Sequence, residues 1–433
     1  MDSFNEKLNR SISQIGFAAL AINGLIGAGI FALPAAAAEA SGHFSPWMFV
    51  ICGLLMSPII LSFAQLSSYF RGTGGPIVYA HEAFGPATAF QTGWLLYIGR
   101  VTALAANSNA LVFYLATLWP VFNDDIIRSV TITLIILLLS ASNLFGIRSA
   151  IETVKTITLL KLLPLLLFIA MGINYLDADQ LFSTTDAQPD TFGASLLLLV
   201  YAFIGFEGAS IPAGEARKPQ RDIPRALIQT LLFTTVLYFL IQSISMAVLE
   251  NPAASDVPLA DAAEVMFGGP GAVIMVVAAI VSISGNLAAI MLAAPRMTYA
   301  LSIEKSLPAW FGNVENSSKV PRNSIYFITV LSLVLALTGS FVWLAIISSL
   351  ARLIGYGICI AAIPVIDKKA VRDDHAIRLP GGLLIPFIAF GVCCWLASQA
   401  NLDSWLLTGG FIVLGTIFYF IARTRNRSLK SDP

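Results

Sequence analysis

The residues Gly24-Leu25-Ile26-Gly27-Ala28-Gly29 interrupt the first long apolar run of the sequence. A second interruption, Gly205-Phe206-Glu207-Gly208, lies in the sixth such run. Each glycine inside a helix costs about 1 kcal/mol relative to alanine, so the two clusters predict unwound helix in two corresponding parts of the chain. The alternative is that small residues merely allow membrane helices to pack closely.

The composition around these interruptions is that of a membrane protein. Of the 433 residues, 57% are apolar and 12% are charged, whereas water-soluble domains have about 45–50% and about 25%. The 25 Lys and Arg balance the 25 Asp and Glu, so the sequence lacks the basic surplus of a nucleic-acid-binding protein. Its histidines and cysteines do not have the spacing of a metal site. We therefore expect no metal, no cofactor and no nucleic-acid partner, with membrane lipid around the chain.

Twelve stretches of the sequence satisfy the requirement of about 20 mostly apolar residues for a membrane-spanning helix. They fall at 13–38, 45–67, 86–119, 126–143, 152–173, 193–213, 225–249, 270–302, 323–339, 342–366, 382–399 and 403–421. The sequence therefore predicts an all-α integral membrane protein with twelve transmembrane helices, of which helices 1 and 6 are unwound at the midplane of the membrane.

The positive charges predict how these helices are oriented. If the N-terminus is cytoplasmic, almost every Lys and Arg outside the spans lies on the cytoplasmic side, and Arg128 is the exception. Positive residues accumulate on that side of membrane proteins, so both termini are expected in the cytoplasm and the protein in a cell membrane. The polar N-terminus lacks the small-residue cleavage site of a signal peptide and is expected to be retained.

Two broken helices in corresponding halves of a chain indicate a substrate site near the membrane midplane. An unwound turn frees amides at the start of one half-helix, where the helix dipole favours an anion. It also frees carbonyl groups at the end of the other half-helix, and these suit an ammonium group. A zwitterionic amino acid fits both. The carboxylate is expected at the amides of Ala28, Gly29 and Ile30, and the amine at carbonyls near Leu25, Tyr201 and Ile204.

Several further motifs lie in and between the first six spans. They are Gly27-Ala28-Gly29-Ile30-Phe31, Gly74-Gly75 with Tyr79 and Glu82-Ala83-Phe84-Gly85, Lys161-Leu162-Leu163-Pro164, Phe203-Ile204-Gly205-Phe206-Glu207, and Glu215 with Pro219-Gln220-Arg221-Asp222-Ile223-Pro224-Arg225-Ala226. Together they resemble the motifs of the amino acid/polyamine/organocation superfamily of transporters. The resemblance implies a LeuT-type fold of five plus five inverted helices with two more at the C-terminus, which works by alternating access.

The same resemblance implies the domain bounds and the function. The first repeat is expected at 1–173, the second at 193–366, the last two helices at 382–421 and a cytoplasmic tail at 422–433. We expect a secondary active transporter that takes up small or neutral amino acids together with protons. The alternative is an exchanger or exporter of amino acids or amines on the same fold. No nucleophile–base pair in the sequence supports an enzyme, no ring of charged residues supports a channel, and the oligomeric state is left open.

Three charged residues inside the spans are candidates for coupling or gating. Inserting the charged side chain of Lys161 into a membrane span costs about 2.5–3.5 kcal/mol. Lys161 either carries the coupled proton or acts as a strut between span five and the broken span one. Glu207 either forms a proton-sensitive gate or caps backbone amides. Arg100 either pairs with an acid such as Glu207 or faces the substrate and favours an acidic side chain.

Polar and aromatic residues near the interruptions complete the candidate site. Tyr201, where the resemblance implies a gating aromatic, and Phe206 flank the second interruption and are expected to cover the substrate, beside Gly205. Asn286 is expected to line the side-chain pocket, and Gly27 is expected at the substrate as part of the first interruption. Arg352, with Tyr356 one turn later, is expected to act as a tether between helices or as an internal gate. For each aromatic or amide side chain, simple packing between helices is the alternative.

Overall fold

A computed structural model describes residues 12–70, 74–144, 151–176, 191–314, 320–369 and 381–431. Within these ranges the backbone is helical apart from short connections, and the extended pairing consists of a single bridge between Ile12 and Ala216. The N-terminal residues 1–11, which the sequence predicts to be retained and cytoplasmic, lie outside the described residues.

The described residues form sixteen α-helices. They are α1 (Gln14–Leu25), α2 (Gly29–Ser41), α3 (Ser45–Tyr69), α4 (Pro76–Phe84), α5 (Pro86–Leu118), α6 (Asp125–Leu144), α7 (Ile151–Gly172), α8 (Phe192–Phe203), α9 (Pro219–Val248), α10 (Pro258–Phe267), α11 (Gly269–Ile303), α12 (Arg322–Thr338), α13 (Phe341–Ala361), α14 (Ile363–Lys369), α15 (Leu384–Ser398) and α16 (Leu402–Ser431). In this part of the chain, nine helical stretches are long and apolar enough to cross a membrane.

The part of the chain that the structure describes is thus helical and carries multiple apolar helices, as expected from the composition of a multi-pass membrane protein. Two helices extend well beyond the predicted spans. α9 begins at Pro219 rather than at 225, because proline fits the first turn of a helix, where its missing amide has no partner to lose. α16 continues to Ser431 instead of ending at 421, because an apolar stretch marks only the part of a helix that needs lipid. The count of twelve crossings stays a prediction.

The centre of the molecule is built on α5, which is 33 residues long and buries most of its side chains. α13 and α11 both pack along α5, and α9 packs along α3. α1 in turn lies against α9 and α7. This arrangement places the first and second interruptions of the sequence side by side in the interior of the bundle.

The α-helix stops within the first interruption and just before the second. α1 ends at Leu25, residues 26–28 form a bend, and α2 begins at Gly29. α8 ends at Phe203, and after Ile204 and Gly205 the chain continues in 3₁₀ turns at Phe206–Ser210 and Ala213–Glu215. We refer to residues 26–28 and 204–215 as the first and the second broken segment. Their depth in a membrane remains a prediction.

The two chain segments touch backbone to backbone at Gly24 and Gly205. A β-carbon added to Gly24 would lie 2.6 Å from the Gly205 carbonyl oxygen, and one added to Gly205 would lie 2.5 Å from the Gly24 carbonyl oxygen. Gly205 also has a φ angle of 107°, which side-chain-bearing residues rarely adopt. Glycine is therefore required at this contact for two separate reasons.

Main-chain hydrogen bonds join the start of α1 to the end of the second broken segment. The Ile12 amide donates to the Glu215 carbonyl at 3.0 Å, and the Arg217 amide donates to the Ile12 carbonyl at 3.0 Å. These two bonds form the bridge between Ile12 and Ala216. α1 and the residues before it are thus held to the second broken segment both at the glycine contact and at this bridge.

Candidate functional site

A cavity of about 340 Å³ lies between the two broken segments. Its size falls within the range of about 300–1,000 Å³ that is usual for small-molecule sites. The sequence-predicted residues that line it are Leu25, Gly27, Ala28, Gly29, Arg100, Tyr201, Ile204, Gly205 and Asn286. The structure therefore brings most of the predicted substrate residues to one cavity.

Five other predicted residues lie near the cavity without being part of its lining, namely Ile30, Lys161, Phe206, Glu207 and Tyr356. For Phe206 the reason is the left-handed turn at Gly205, after which its ring packs against Phe63 at 5.3 Å and Tyr356 at 5.1 Å. In this structure Phe206 belongs to an aromatic cluster behind the second broken segment rather than to the cavity wall.

The start of α2 presents unpaired amides to the cavity. Among the described residues, the amides of Ala28, Gly29 and Ile30 have no hydrogen-bond acceptor. Ala28 and Gly29 line the cavity, and the positive end of the α2 dipole lies at the same place. This helix end can therefore bind an anion such as a carboxylate.

Unpaired carbonyl groups lie at the end of α8. The carbonyls of Tyr201 and Ile204 accept no hydrogen bond within the described part of the chain. The Leu25 carbonyl differs, because it accepts from the Gly27 amide at 3.1 Å and from the Tyr238 hydroxyl at 3.3 Å. Of the three carbonyls considered from the sequence, those of Tyr201 and Ile204 are therefore free to bind a cation.

Lys161, in α7, is fully buried beside the first broken segment. Its ammonium group donates to the Asn23 side-chain oxygen at 2.7 Å, to the Asn23 carbonyl at 3.2 Å and to the Ile26 carbonyl at 2.6 Å. A lysine has three N–H donors, and all three are used at the end of α1. Lys161 therefore connects α7 to the point where α1 stops.

A chain of side-chain hydrogen bonds continues from this lysine to Tyr201. The Asn286 amide donates to the Asn23 carbonyl at 3.3 Å, the Asn107 amide donates to Asn286 Oδ1 at 2.8 Å, and the Tyr201 hydroxyl donates to Asn107 Oδ1 at 2.7 Å. The Tyr201 ring packs edge-on against Phe341 at 5.8 Å. Sequence reasoning missed Asn23 and Asn107, although an amide side chain within an apolar span is a signal that identifies both.

Glu207 is a buried carboxylate between two arginines. Its Oε2 atom accepts from the Gly205 amide at 2.9 Å and from the Tyr356 hydroxyl at 2.6 Å. Its Oε1 atom lies 3.7 Å from Arg352 Nε and 3.8 Å from Arg100 Nη2, distances too long for hydrogen bonds. Glu207 thus caps a backbone amide and also lies between both arginines.

Arg100 belongs both to this charged cluster and to the wall of the cavity. Its guanidinium group is near the Glu207 carboxylate, and the residue also lines the cavity. Arg352, which the sequence suggested as a tether, lines the same cavity.

The described residues contain no group of three or more His, Cys, Asp or Glu side chains that could hold a metal ion.

Comparison with known proteins shows similarity along almost the whole chain. A family model with the description amino acid permease matches residues 12–422. The chain is 27% identical to a methylthioribose transporter of Bacillus subtilis over 97% of its own length and 94% of the relative. It is 24% identical to a branched-chain amino acid permease of the same organism, over 99% and 96% of the two lengths. An uncharacterized transporter of Mycobacterium tuberculosis is 26% identical over 98% and 93%.

Proposed function

The chain belongs to the amino acid permease family, and on this basis we propose that it is a secondary active transporter for amino acids that works by alternating access in a cell membrane. The family and the characterised relatives named above are permeases and transporters, so the protein is not an enzyme. Its substrate is an amino acid or a related compound. The observation that carries the proposal is the cavity between two broken segments, with free amides on one side and free carbonyls on the other.

The proposed architecture has twelve crossings, with repeats at 1–173 and 193–366, a final helix pair at 382–421, a tail at 422–433 and both termini in the cytoplasm. Nine long apolar stretches and the three shorter apolar helices α1, α12 and α15 support this count. One long stretch contains both α2 and α3, and α2 forms the first crossing together with α1, so that α3 is the second. The position of the broken segments in the first helix of each proposed repeat supports a LeuT-type arrangement.

In the proposed complex, the substrate carboxylate binds the amides of Ala28, Gly29 and Ile30 at the start of α2. The ammonium group binds the carbonyls of Tyr201 and Ile204. Both sets of groups are unpaired within the described residues, which supports this polarity. Because the cavity of about 340 Å³ is near the lower limit for such sites, it supports a small substrate.

We assign coupling to Lys161 and gating to Tyr201. Lys161 binds the Asn23 carbonyl near the end of α1 and the Ile26 carbonyl in the first broken segment, so loss of its proton weakens the contact at the point where α1 stops. The hydrogen bonds through Asn23, Asn286 and Asn107 then connect that contact to Tyr201. This arrangement supports proton-coupled uptake, with an exchanger or exporter as the second candidate.

Flux into proteoliposomes tests this function. We expect saturable uptake of a small labelled amino acid that is driven by an inside-alkaline pH gradient. Uptake that requires an internal amino acid and ignores the gradient would instead establish the exchanger. Flux that does not saturate and is not competed by unlabelled substrate would contradict a carrier of either kind.

Lys161→Ala is expected to remove the pH dependence of uptake, because the variant has no proton to release at the first broken segment. Lys161→Arg separates the two roles left open by the sequence. Arginine keeps the charge but does not deprotonate in proteins, so a proton carrier loses its pH dependence in both variants. A strut would keep the wild-type pH profile in Lys161→Arg. The measurement is initial uptake at a series of external pH values.

Gly29→Leu is expected to abolish substrate binding and leave the helical bundle intact. A β-carbon at Gly29 would lie 3.1 Å from the Ala202 α-carbon and 3.2 Å from its β-carbon, so a leucine side chain would displace α8 from the start of α2, where the carboxylate is proposed to bind. Binding is measured by the shift of thermal unfolding of the purified protein with added amino acids. Normal binding by a folded Gly29→Leu protein would contradict the proposed carboxylate site.

A further inference from the structure

We propose that Arg100 and Arg352 form a subsite for the side chain of the substrate, and that this side chain is short and ends in a carboxylate. The inference rests on the proposed function and narrows it to acidic amino acids. It keeps the small size of the expected substrate and gives its side chain a negative charge.

The first argument is the balance of buried charges beside the cavity. Arg100 and Arg352 contribute two guanidinium groups, and Glu207 contributes one carboxylate, so one positive charge is left over. The exposed fractions of the Arg100, Arg352 and Glu207 side chains are 12%, 6% and 1%. Buried charges are found paired, because an unpaired one is costly in the interior of a protein. A substrate with a negative side chain supplies the missing charge.

Lys161 does not compensate this surplus positive charge, because it adds a further buried positive charge. Its three hydrogen bonds go to carbonyl and amide oxygens of Asn23 and Ile26, which carry no formal charge. Arg100, Arg352, Lys161 and Glu207 together are therefore positive before a substrate binds. Glu215, a second carboxylate in the cavity lining, is only partly buried and forms no ion pair with either arginine among the described residues. A zwitterion leaves this balance unchanged, whereas an acidic amino acid adds one negative charge.

The second argument is that the arginine donors lack partners. A guanidinium group has five N–H donors, and neither Arg100 nor Arg352 donates a hydrogen bond to any described residue. The Nε atoms of both arginines are buried without a partner, and so is Glu207 Oε1 between them. Buried donors are normally satisfied. The terminal Nη atoms of both arginines have no hydrogen-bond partner among the described residues either, but they are not fully enclosed. Since both arginines line the cavity, a bound molecule can provide acceptors for these Nη atoms.

The third argument is the match between guanidinium and carboxylate. The two groups pair through two parallel hydrogen bonds, which provide both strength and orientation. The main-chain ends of the substrate are already assigned to the broken segments, so the group that reaches the arginines belongs to the side chain. The space next to Arg100 is kept open by Gly208, where an added β-carbon would lie 3.4 Å from Arg100 Nη2.

Three amino acids of nearly equal shape test the subsite, namely aspartate, asparagine and leucine. Affinities for the purified full-length protein are measured by isothermal titration. We expect aspartate to bind about tenfold or more tightly than asparagine, since hydrogen bonds between charged groups are stronger by roughly that factor, and leucine to bind most weakly. Asparagine or leucine binding as tightly as aspartate to the wild-type protein would overturn the proposal without any variant.

The variant Arg100→Gln tests whether Arg100 is responsible for the preference for aspartate. We expect it to remove most of the preference for aspartate over asparagine, while asparagine affinity changes by less than about threefold. Equal weakening of all three ligands would overturn the proposal and assign Arg100 to the main-chain carboxylate. Arg128→Gln is the matched control, because Arg128 contacts Asn109 and Phe113 away from the cavity lining, and it should keep the wild-type order.

The failure of this inference differs from failure of the proposed function. If neutral amino acids bind and are transported while aspartate is not, the acidic subsite is wrong and the amino acid transporter stands. If none of the twenty amino acids binds or is transported, the proposed function itself is wrong. Should Arg100→Gln fail to fold, the order of the three ligands on the wild-type protein still decides the subsite.

Discussion

Gly205→Ala is expected to abolish both substrate binding and transport. The new β-carbon would lie 2.5 Å from the Gly24 carbonyl oxygen and 2.8 Å from its carbon, and both are backbone atoms that cannot rotate away. Alanine would also have to adopt a φ angle of 107°. Strained backbone and overpacking each cost about 1–3 kcal/mol, so α1 and the second broken segment should separate at this contact. Uptake into proteoliposomes and ligand-induced thermal stabilisation measure the loss.

Two further alanine variants make this result interpretable. Gly24→Ala brings its β-carbon within 2.6 Å of the Gly205 carbonyl oxygen but needs no left-handed backbone, so it isolates the effect of the clash. Gly409→Ala is the matched control, because an added β-carbon in α16 has no atom within 4 Å. We expect it to transport normally. Near-normal uptake by Gly205→Ala would mean that the two segments are not in close contact.

The second large effect is expected for Glu207→Gln. Glutamine keeps an oxygen that can accept from the Gly205 amide and the Tyr356 hydroxyl, but it removes the carboxylate that lies between two buried arginines. Removing one partner of a buried ion pair costs about 3–5 kcal/mol, because the other charge is left uncompensated. We expect a corresponding drop in the free energy of unfolding, measured by denaturant titration in detergent.

A double variant shows whether charge is the cause. In Glu207→Gln combined with Arg100→Gln, the surplus positive charge returns to its wild-type value, so part of the lost stability should be recovered. Glu264→Gln is the control, because Glu264 is exposed on α10 and its neutralisation should change little. If Glu207→Gln is as stable as the wild-type protein, the arginines do not depend on this carboxylate.

The sequence could predict the helical membrane architecture and the places where two helices stop. Both properties are local, since apolar runs mark buried helices and clustered glycines mark their interruption. It could also select Lys161, Glu207 and Arg100, because charges within apolar spans are rare and mark functional regions. These residues all lie at or beside the cavity.

What the sequence could not provide is the pairing between distant residues. Asn23 and Lys161 are 138 positions apart, and only the packing of α7 against α1 makes them neighbours. The side to which Phe206 turns depends on the single φ angle at Gly205. Whether Glu207 has one arginine partner or two depends on how α5 and α13 pack, which no local pattern encodes.

The bridge at Ile12 has a consequence for conformational change. Ile12, Pro212 and Glu215 line the cavity, and the Ile12 amide and carbonyl are bonded to the backbone of Glu215 and Arg217. Widening the cavity at Ile12 by moving α1 alone would break both bonds. α1 and the second broken segment are therefore expected to move as one rigid body, so that access to the cavity past Ile12 opens in a single step rather than by gradual fraying of either segment.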